Sequence, residues 1–223
     1  MRFGFLFSIL VWSFSAPNAH AGAWLREKGT SFTSFSYSVT WFRDTANSSY
    51  LEYGLRDDLT IGADIRTETS GLGSQSGFGT IFIRRPLGPN DGENKWAYEV
   101  GLGAGWIDEL IFPYLKTGIS WGRGIQLREK YGWVAVDASM AWDVTAGHHL
   151  AKIDGTIGLN FTEVTTGMVQ VYLSHLDRET YGSIAPSLVI KPGKSKFRYQ
   201  IGAETQFGNH DNTALKIGLW REF

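Results

Sequence analysis

The sequence predicts an all-β chain: a single antiparallel β-barrel of about twelve strands joined by short hairpins, long enough in each strand to be transmembrane. Three observations carry this. Among 223 residues there are 27 Gly, 9 Trp, 9 Tyr and 14 Phe but 3 Met; glycine disfavours helices, and aromatics fit a pleated surface. Apolar residues recur at every second position in most segments, which is the period of a strand. These segments run to roughly 10–14 residues, whereas soluble strands average about 5–6 and a tilted strand crossing a bilayer takes about 9–11.

Residues 1–21 read as a secretory signal peptide. Arg2 supplies the positive start, 3–14 is apolar through Leu6, Ile9, Leu10, Val11 and Trp12, and Ala19-His20-Ala21 is an A-x-A cleavage site. The apolar core, about 12 residues, is shorter than the roughly 20 of a spanning helix. Residues 22–223 are then the barrel.

The strands are expected near 30–43, 47–56, 58–69, 76–86, 95–107, 112–124, 130–143, 149–163, 166–177, 181–192, 195–207 and 212–223, with ends placed to about 2–4 residues. In the first, Phe35, Tyr37, Val39 and Trp41 alternate with Ser34, Ser36, Ser38 and Thr40. In the third, Leu59, Ile61, Ala63 and Ile65 alternate with Thr60, Gly62, Asp64 and Arg66. The fourth leaves its phase open, with Phe78 and Phe82 on one side and Ile81 and Ile83 on the other. The fifth sets Trp96, Tyr98, Val100, Leu102, Ala104 and Trp106 against Glu99 and three glycines; the sixth sets Leu115, Ile119 and Trp121 against Lys116, Gly118 and Gly122. Ile153, Ile157 and Leu159, then Phe197, Tyr199 and Ile201, then Leu215, Ile217 and Leu219 continue the pattern. Turn chemistry separates them: Arg56-Asp57-Asp58, the Gly-Pro-Asn-Asp-Gly run at 88–92, Pro192-Gly193-Lys194 and Gly208 to Asn212.

Alternation alone also fits a soluble sandwich. Strand length, the placing of Trp41, Trp96, Trp106, Trp121 and Trp142 near the ends of apolar faces, and a final strand ending on Phe223 favour lipid on the apolar side.

The last strand resembles that of the Gram-negative outer-membrane β-barrel proteins: Leu215, Ile217, Leu219 and Phe223 match their alternating apolar positions, and Lys216 and Gly218 their polar and glycine positions. Arg221 departs, since an apolar residue is usual there. The segment 50–65, YLEYGLRDDLTIGADI, resembles a strand-turn-strand unit of small channel-like barrels of unassigned substrate. The resemblance implies the outer membrane, contact with its lipid and lipopolysaccharide, and assembly by the barrel insertion machinery, for which Leu215, Ile217, Gly218, Leu219 and Phe223 would be the signal. An even strand number puts both chain ends in the periplasm. Turns near 57, 90, 127, 164 and 194 are then periplasmic, and loops near 45, 72, 109, 146, 179 and 210 external.

Residues expected to line the lumen include Asp64, Arg66, Glu99, Lys116, Asp137, Lys152, Asp154, Arg198, Glu204 and Lys216, with Glu52, Glu68, Asp143, Lys191 and Lys196. Buried charges must be solvated or paired, so the lumen is either a pore or a closed polar core. Inward Gly62, Gly101, Gly103, Gly105, Gly118 and Gly122 leave space along one wall and favour a water-filled passage; curvature is the alternative. Lys191, Lys196 and Arg198 read as a solvated rim.

Other chemistry is sparse. Lys plus Arg is 21 and Asp plus Glu 22, which excludes an electrostatic nucleic-acid binder. Cysteine is 0, which excludes disulfides and thiol chemistry. There is no Walker loop, HExxH, GxSxG or EF-hand spacing. His148-His149 beside Asp143 is the only metal candidate considered, and adjacent strand residues point to opposite faces. Ser174-His175 with Asp177, and His210-Asp211, hold the residue types of a hydrolase without its spacing. No catalytic residue, metal or cofactor is therefore expected. The reading is a narrow passive channel for small-molecule solutes. The alternatives are an enzyme acting on lipid or lipopolysaccharide with His175 or His210 as base, a closed structural barrel, and a soluble periplasmic barrel.

Overall fold

The computed structural model describes residues 22–89, 92–145, 147, 149–176 and 178–223, apart from the side chains of 210 and 211. The expected signal segment, His148 and Asp177 lie outside the described residues.

Twelve strands follow one another: β1 (Ser31–Thr40), β2 (Thr45–Arg56), β3 (Leu59–Thr69), β4 (Gln75–Pro86), β5 (Asn94–Ile107), β6 (Leu110–Leu127), β7 (Lys130–Asp143), β8 (His149–Asn160), β9 (Thr165–Leu176), β10 (Glu179–Ile190), β11 (Phe197–Gln206) and β12 (Asn209–Glu222). Each pairs antiparallel with its sequence neighbours. β12 returns to β1, with Leu219 opposite Phe35 and Leu215 opposite Val39, so the sheet closes into a barrel. Closure satisfies every edge, which an open sheet in lipid could not do.

The observed strands depart from the expected ones mainly at their ends. β6 runs to Leu127, past the expected end at 124, because Arg123 and Gly124 continue the ladder opposite Val134 and Trp133. The extension carries the strand through Ile125, Gln126 and Leu127, and the turn falls just after them at Arg128 and Glu129. β8 stops at Asn160, where a tight loop forms as Phe161 N–H donates to the Thr165 carbonyl at 2.9 Å. β12 begins at Asn209, because Gly208 with φ 78° completes a two-residue turn.

The phase is uniform. Ile61, Ile65, Ile81, Ile83, Leu102, Ile153, Ile201, Leu215 and Ile217 face outward and are exposed. Inward positions are mostly polar, small or aromatic, with Ser34, Ser48, Glu52, Asp64, Arg66, Thr80, Glu99, Thr156, Gln170 and Gln200 buried; Leu150, Met168, Leu176 and Val189 are buried with them. β4 resolves its open phase with Phe78 and Phe82 inside at 4% exposure each. Their inward phase carries Thr80 and Arg84 with them.

The outward aromatics sit at two levels. At the end of the barrel holding Ser31 and Glu222, here the proximal end, Trp96 and Trp121 pair with ring centroids 6.4 Å apart. Trp41, Trp106 and Trp142 mark the distal end. Between these belts the outside is mostly aliphatic, with Phe35 and the small Ser49 among it.

Candidate functional site

The interior is shaped first by a segment that is not a strand. Residues 22–29 precede β1 and turn into the proximal end. Gly29 N–H donates to the Gly54 carbonyl at 2.8 Å, and Gly54 N–H to the Thr30 carbonyl at 2.9 Å. A side chain at Gly54 would run into the backbone of Glu27, so the close approach needs glycine. Arg26 N–H donates to Thr60 Oγ1 at 3.0 Å and its Nε to Glu52 Oε2 at 2.6 Å, with the guanidinium 4.6 Å from the Phe32 ring centroid. Trp24 packs over Gly122. Ala23 is fully buried, and Gly22 N–H donates to Asp137 Oδ1 at 3.0 Å. The segment thus fills part of the proximal half of the barrel interior.

Above and around it lies a charged network built from four strands. Glu52 (β2) accepts from Arg26 and from Arg84 (β4). Arg84 Nη2 also reaches Glu99 (β5) at 2.6 Å, and Glu99 accepts from Lys116 (β6) at 2.8 Å. Tyr50 donates to Glu52 and accepts from Arg84. Phe82 lies beneath the cations, 5.0 Å from Arg84 and 5.8 Å from Lys116. Period two on each strand and the antiparallel register aim these groups at one level. The alternating cation–anion order lets each buried charge keep a partner, as a low-dielectric interior requires.

The other walls hold smaller groups: Arg66–Glu68 at 2.8 Å, Lys152–Asp154 at 3.3 Å, and Lys216–Glu204 at 3.9 Å, with Ser183 donating to Glu204 at 2.7 Å. A cavity of about 70 Å3 lies between Asp64, Thr80, Arg84, Glu99, Lys116, Asp137 and Asp154. Asp64 Oδ1 and Asp154 Oδ1 are buried there without a hydrogen bond among the described residues. At the distal end the lumen widens to about 480 Å3 between Ser38, Thr40, Asp44, Glu68, Ser70, Asn209 and Asn212. Hydroxyl, amide and carboxylate groups share this mouth with the apolar side chains of Phe42, Ala46 and Leu72.

The structure places Asp64, Arg66, Glu99, Lys116, Asp137, Lys152, Asp154, Glu204 and Lys216 on the interior face. Arg198 stands at the proximal rim, 3.6 Å from Glu222. Lys191 and Lys196 lie in the β10–β11 turn rather than on the lumen wall, because β10 ends at Ile190 and β11 begins at Phe197. The expectation of empty space at the inward glycines is corrected at three of the six: Phe82 covers Gly62, Tyr114 covers Gly103 and Trp24 covers Gly122, whereas Gly105 keeps room beside it. A missing side chain on one strand makes room for an aromatic ring from the next strand, at Gly62 and Gly103, or from the coil, at Gly122.

Sequence reasoning did not place Arg84 or Arg26. Arg84 was readable from β4 once Phe78, Thr80 and Phe82 are put on one face. Arg26 belongs to a coil whose destination no periodicity reports. On β12, Leu215, Ile217, Leu219 and Phe223 face outward, Gly218 faces inward, and Phe223 exchanges backbone hydrogen bonds with Ser31. Ser174 faces in and His175 faces out beside Thr180 at 2.9 Å, so the two do not meet. His149 is exposed against the edge of Trp142. Among the described residues no group of three His, Cys, Asp or Glu could hold a metal.

The fold belongs to the class of outer-membrane β-barrels. The solved structures it resembles include the KdgM porin (8% identity, 86% of this chain and 99% of that one, TM-score 0.58). They also include the COG4313 outer membrane channel from Pseudomonas putida F1 (13% identity, 94% and 100%, TM-score 0.58) and LpxR from Salmonella typhimurium (8% identity, 86% and 99%, TM-score 0.58). No protein-family model matches the sequence, and no curated protein matches it.

Proposed function

We propose that this chain is an outer-membrane barrel forming a narrow passage for small hydrophilic solutes, with residues 22–28 as a stopper at its periplasmic end. The apolar band between two aromatic levels supports residence in a bilayer. The even strand number puts both chain ends at the proximal end; with that end in the periplasm, as in bacterial outer-membrane barrels, the wide mouth faces outward. Two of the three structural relatives named above are called a porin and a channel, but the fold is common to all three, so the reading rests on the interior.

One observation supports it: the proximal half of the charged interior is filled by a short coil held through separate non-covalent contacts, packed beside the inward side chains of the wall. Gly22, Trp24 and Arg26 each meet a different strand. Withdrawing the coil would leave a polar lumen lined by Glu52, Glu99, Lys116 and Asp137. Charges of both signs face it, so ion selectivity would be weak. The second reading is a closed structural barrel. It is favoured by the inward apolar cluster of Phe32, Tyr50, Phe82, Met168, Val189 and Trp220. For the lipid-enzyme alternative, Ser174 and His175 point to opposite faces, and the side chain of His210 lies outside the described residues.

The test is single-channel recording in planar bilayers, using heat-modifiable migration to confirm folding. The full barrel is expected to show small, infrequent steps, and the Trp24→Ala/Arg26→Ala protein larger and more frequent ones. Flat traces from both folded proteins would overturn the passage and leave the closed barrel.

A further inference from the structure

Arg221 interrupts the apolar outward row of β12, between Leu219 and Phe223. Its guanidinium is stacked between two rings, 5.0 Å from the Phe197 centroid and 4.0 Å from that of Phe223. Its Nε is buried and makes no hydrogen bond, and Arg221 makes no ion pair among the described residues. The adjacent carboxylate, Glu222, turns to the other face and meets Arg198. A cation thus stands between two rings on the membrane side, with no acceptor for its guanidinium among the described residues.

Beside it the wall is hollow. In register, Arg221 stands opposite Thr33, Thr33 opposite Leu51, and Leu51 opposite Ala63; Leu219 stands opposite Phe35, Phe35 opposite Ser49, and Ser49 opposite Ile65. Small Thr33, Ser49 and Ala63 form the floor, and Phe35, Leu51 and Ile65 the walls, of an outward groove of about 490 Å3 that also reaches Arg221.

We infer that Arg221 and this groove form a site for one phospholipid of the periplasmic leaflet, its phosphate on the guanidinium and one acyl chain in the groove. The inference rests on the membrane orientation proposed above. Arginine's planar fork matches a phosphate through paired hydrogen bonds. The proximal rim is the depth at which headgroup phosphates lie. The apolar groove gives the chain a surface that flat barrel wall lacks. The departure of Arg221 from the apolar pattern of the final strand thereby acquires a reason.

Native mass spectrometry of the folded, detergent-purified barrel tests it, with phosphatidylglycerol as the probe and diacylglycerol as the phosphate-free control. One retained phosphatidylglycerol and no retained diacylglycerol are expected. Arg221→Ala should lower retention about tenfold, the scale of one charge-assisted contact. Arg221→Lys should lower it less, and Ala63→Phe should lower it with the charge intact. Equal retention of diacylglycerol, retention indifferent to Arg221→Ala, or retention indifferent to Ala63→Phe would each overturn the site. So would a dimer mass replacing the lipid adduct, since a second copy would then fill the groove. None of these readings depends on conductance.

Discussion

Arg84 is the residue on which the interior turns. It is 4% exposed and joins Glu52 to Glu99. Arg84→Ala would leave two buried carboxylates facing each other with only Arg26 and Lys116 to compensate. Removing one partner of a buried pair costs about 3–5 kcal/mol, and that loss is expected in the urea midpoint of the folded barrel. Arg123→Ala, which breaks an exposed pair with Glu93, should stay within about 1 kcal/mol. Equal midpoint shifts for the two would show that the interior network is solvated rather than packed. Most of the network's members are legible from the sequence, because a charge at an inward phase of a strand has nowhere else to go. Arg84 escapes such reading only because β4 carries large apolar residues on both faces, so neither period-two phase stands out.

At the scale of the element, the strands are legible because lipid and lumen impose opposite chemistries on alternate residues. Their ends are less so, since a strand beyond the apolar band may carry charge and still pair, as β6 does to Leu127. That difference between centre and end is measurable. Ile153 faces outward in the middle of β8, and Leu127 faces outward at the proximal end of β6. Ile153→Arg is expected to destabilise the barrel by about 2–4 kcal/mol and Leu127→Arg by about 0–1 kcal/mol, the depth dependence of a bilayer. Equal effects in lipid vesicles would place the band elsewhere. The segment 22–29 lies at the opposite extreme of legibility. It has no period, and its fate is decided by shape: Trp24 finds the gap at Gly122, and Arg26 finds Glu52, contacts that exist only after twelve strands have closed.

At the scale of the molecule, coil and mouth make the barrel asymmetric along its axis: wide at the distal end, filled at the proximal one. This asymmetry can be read chemically, because the chain contains 0 Cys and any introduced thiol is unique. Ser38 lines the distal mouth, whereas Ser120 is 7% exposed and sits against Gly22 at the tip of the stopper. A charged, membrane-impermeant maleimide added to the outside of intact cells should label Ser38→Cys readily and Ser120→Cys slowly. Adding Trp24→Ala should speed labelling at Ser120→Cys while leaving Ser38→Cys unchanged, since the stopper loses its largest contact but the mouth is untouched. Rapid labelling at both sites in the otherwise unaltered barrel would mean that the lumen is already continuous and residues 22–28 do not close it. Slow labelling at Ser120→Cys with and without Trp24 would mean that the wall residues, led by the Arg84 network, are themselves the closure. The same pair of thiols thus separates a removable stopper from a permanently filled core, a distinction that period-two patterning cannot make, because both kinds of interior present the same polar face to the same strands.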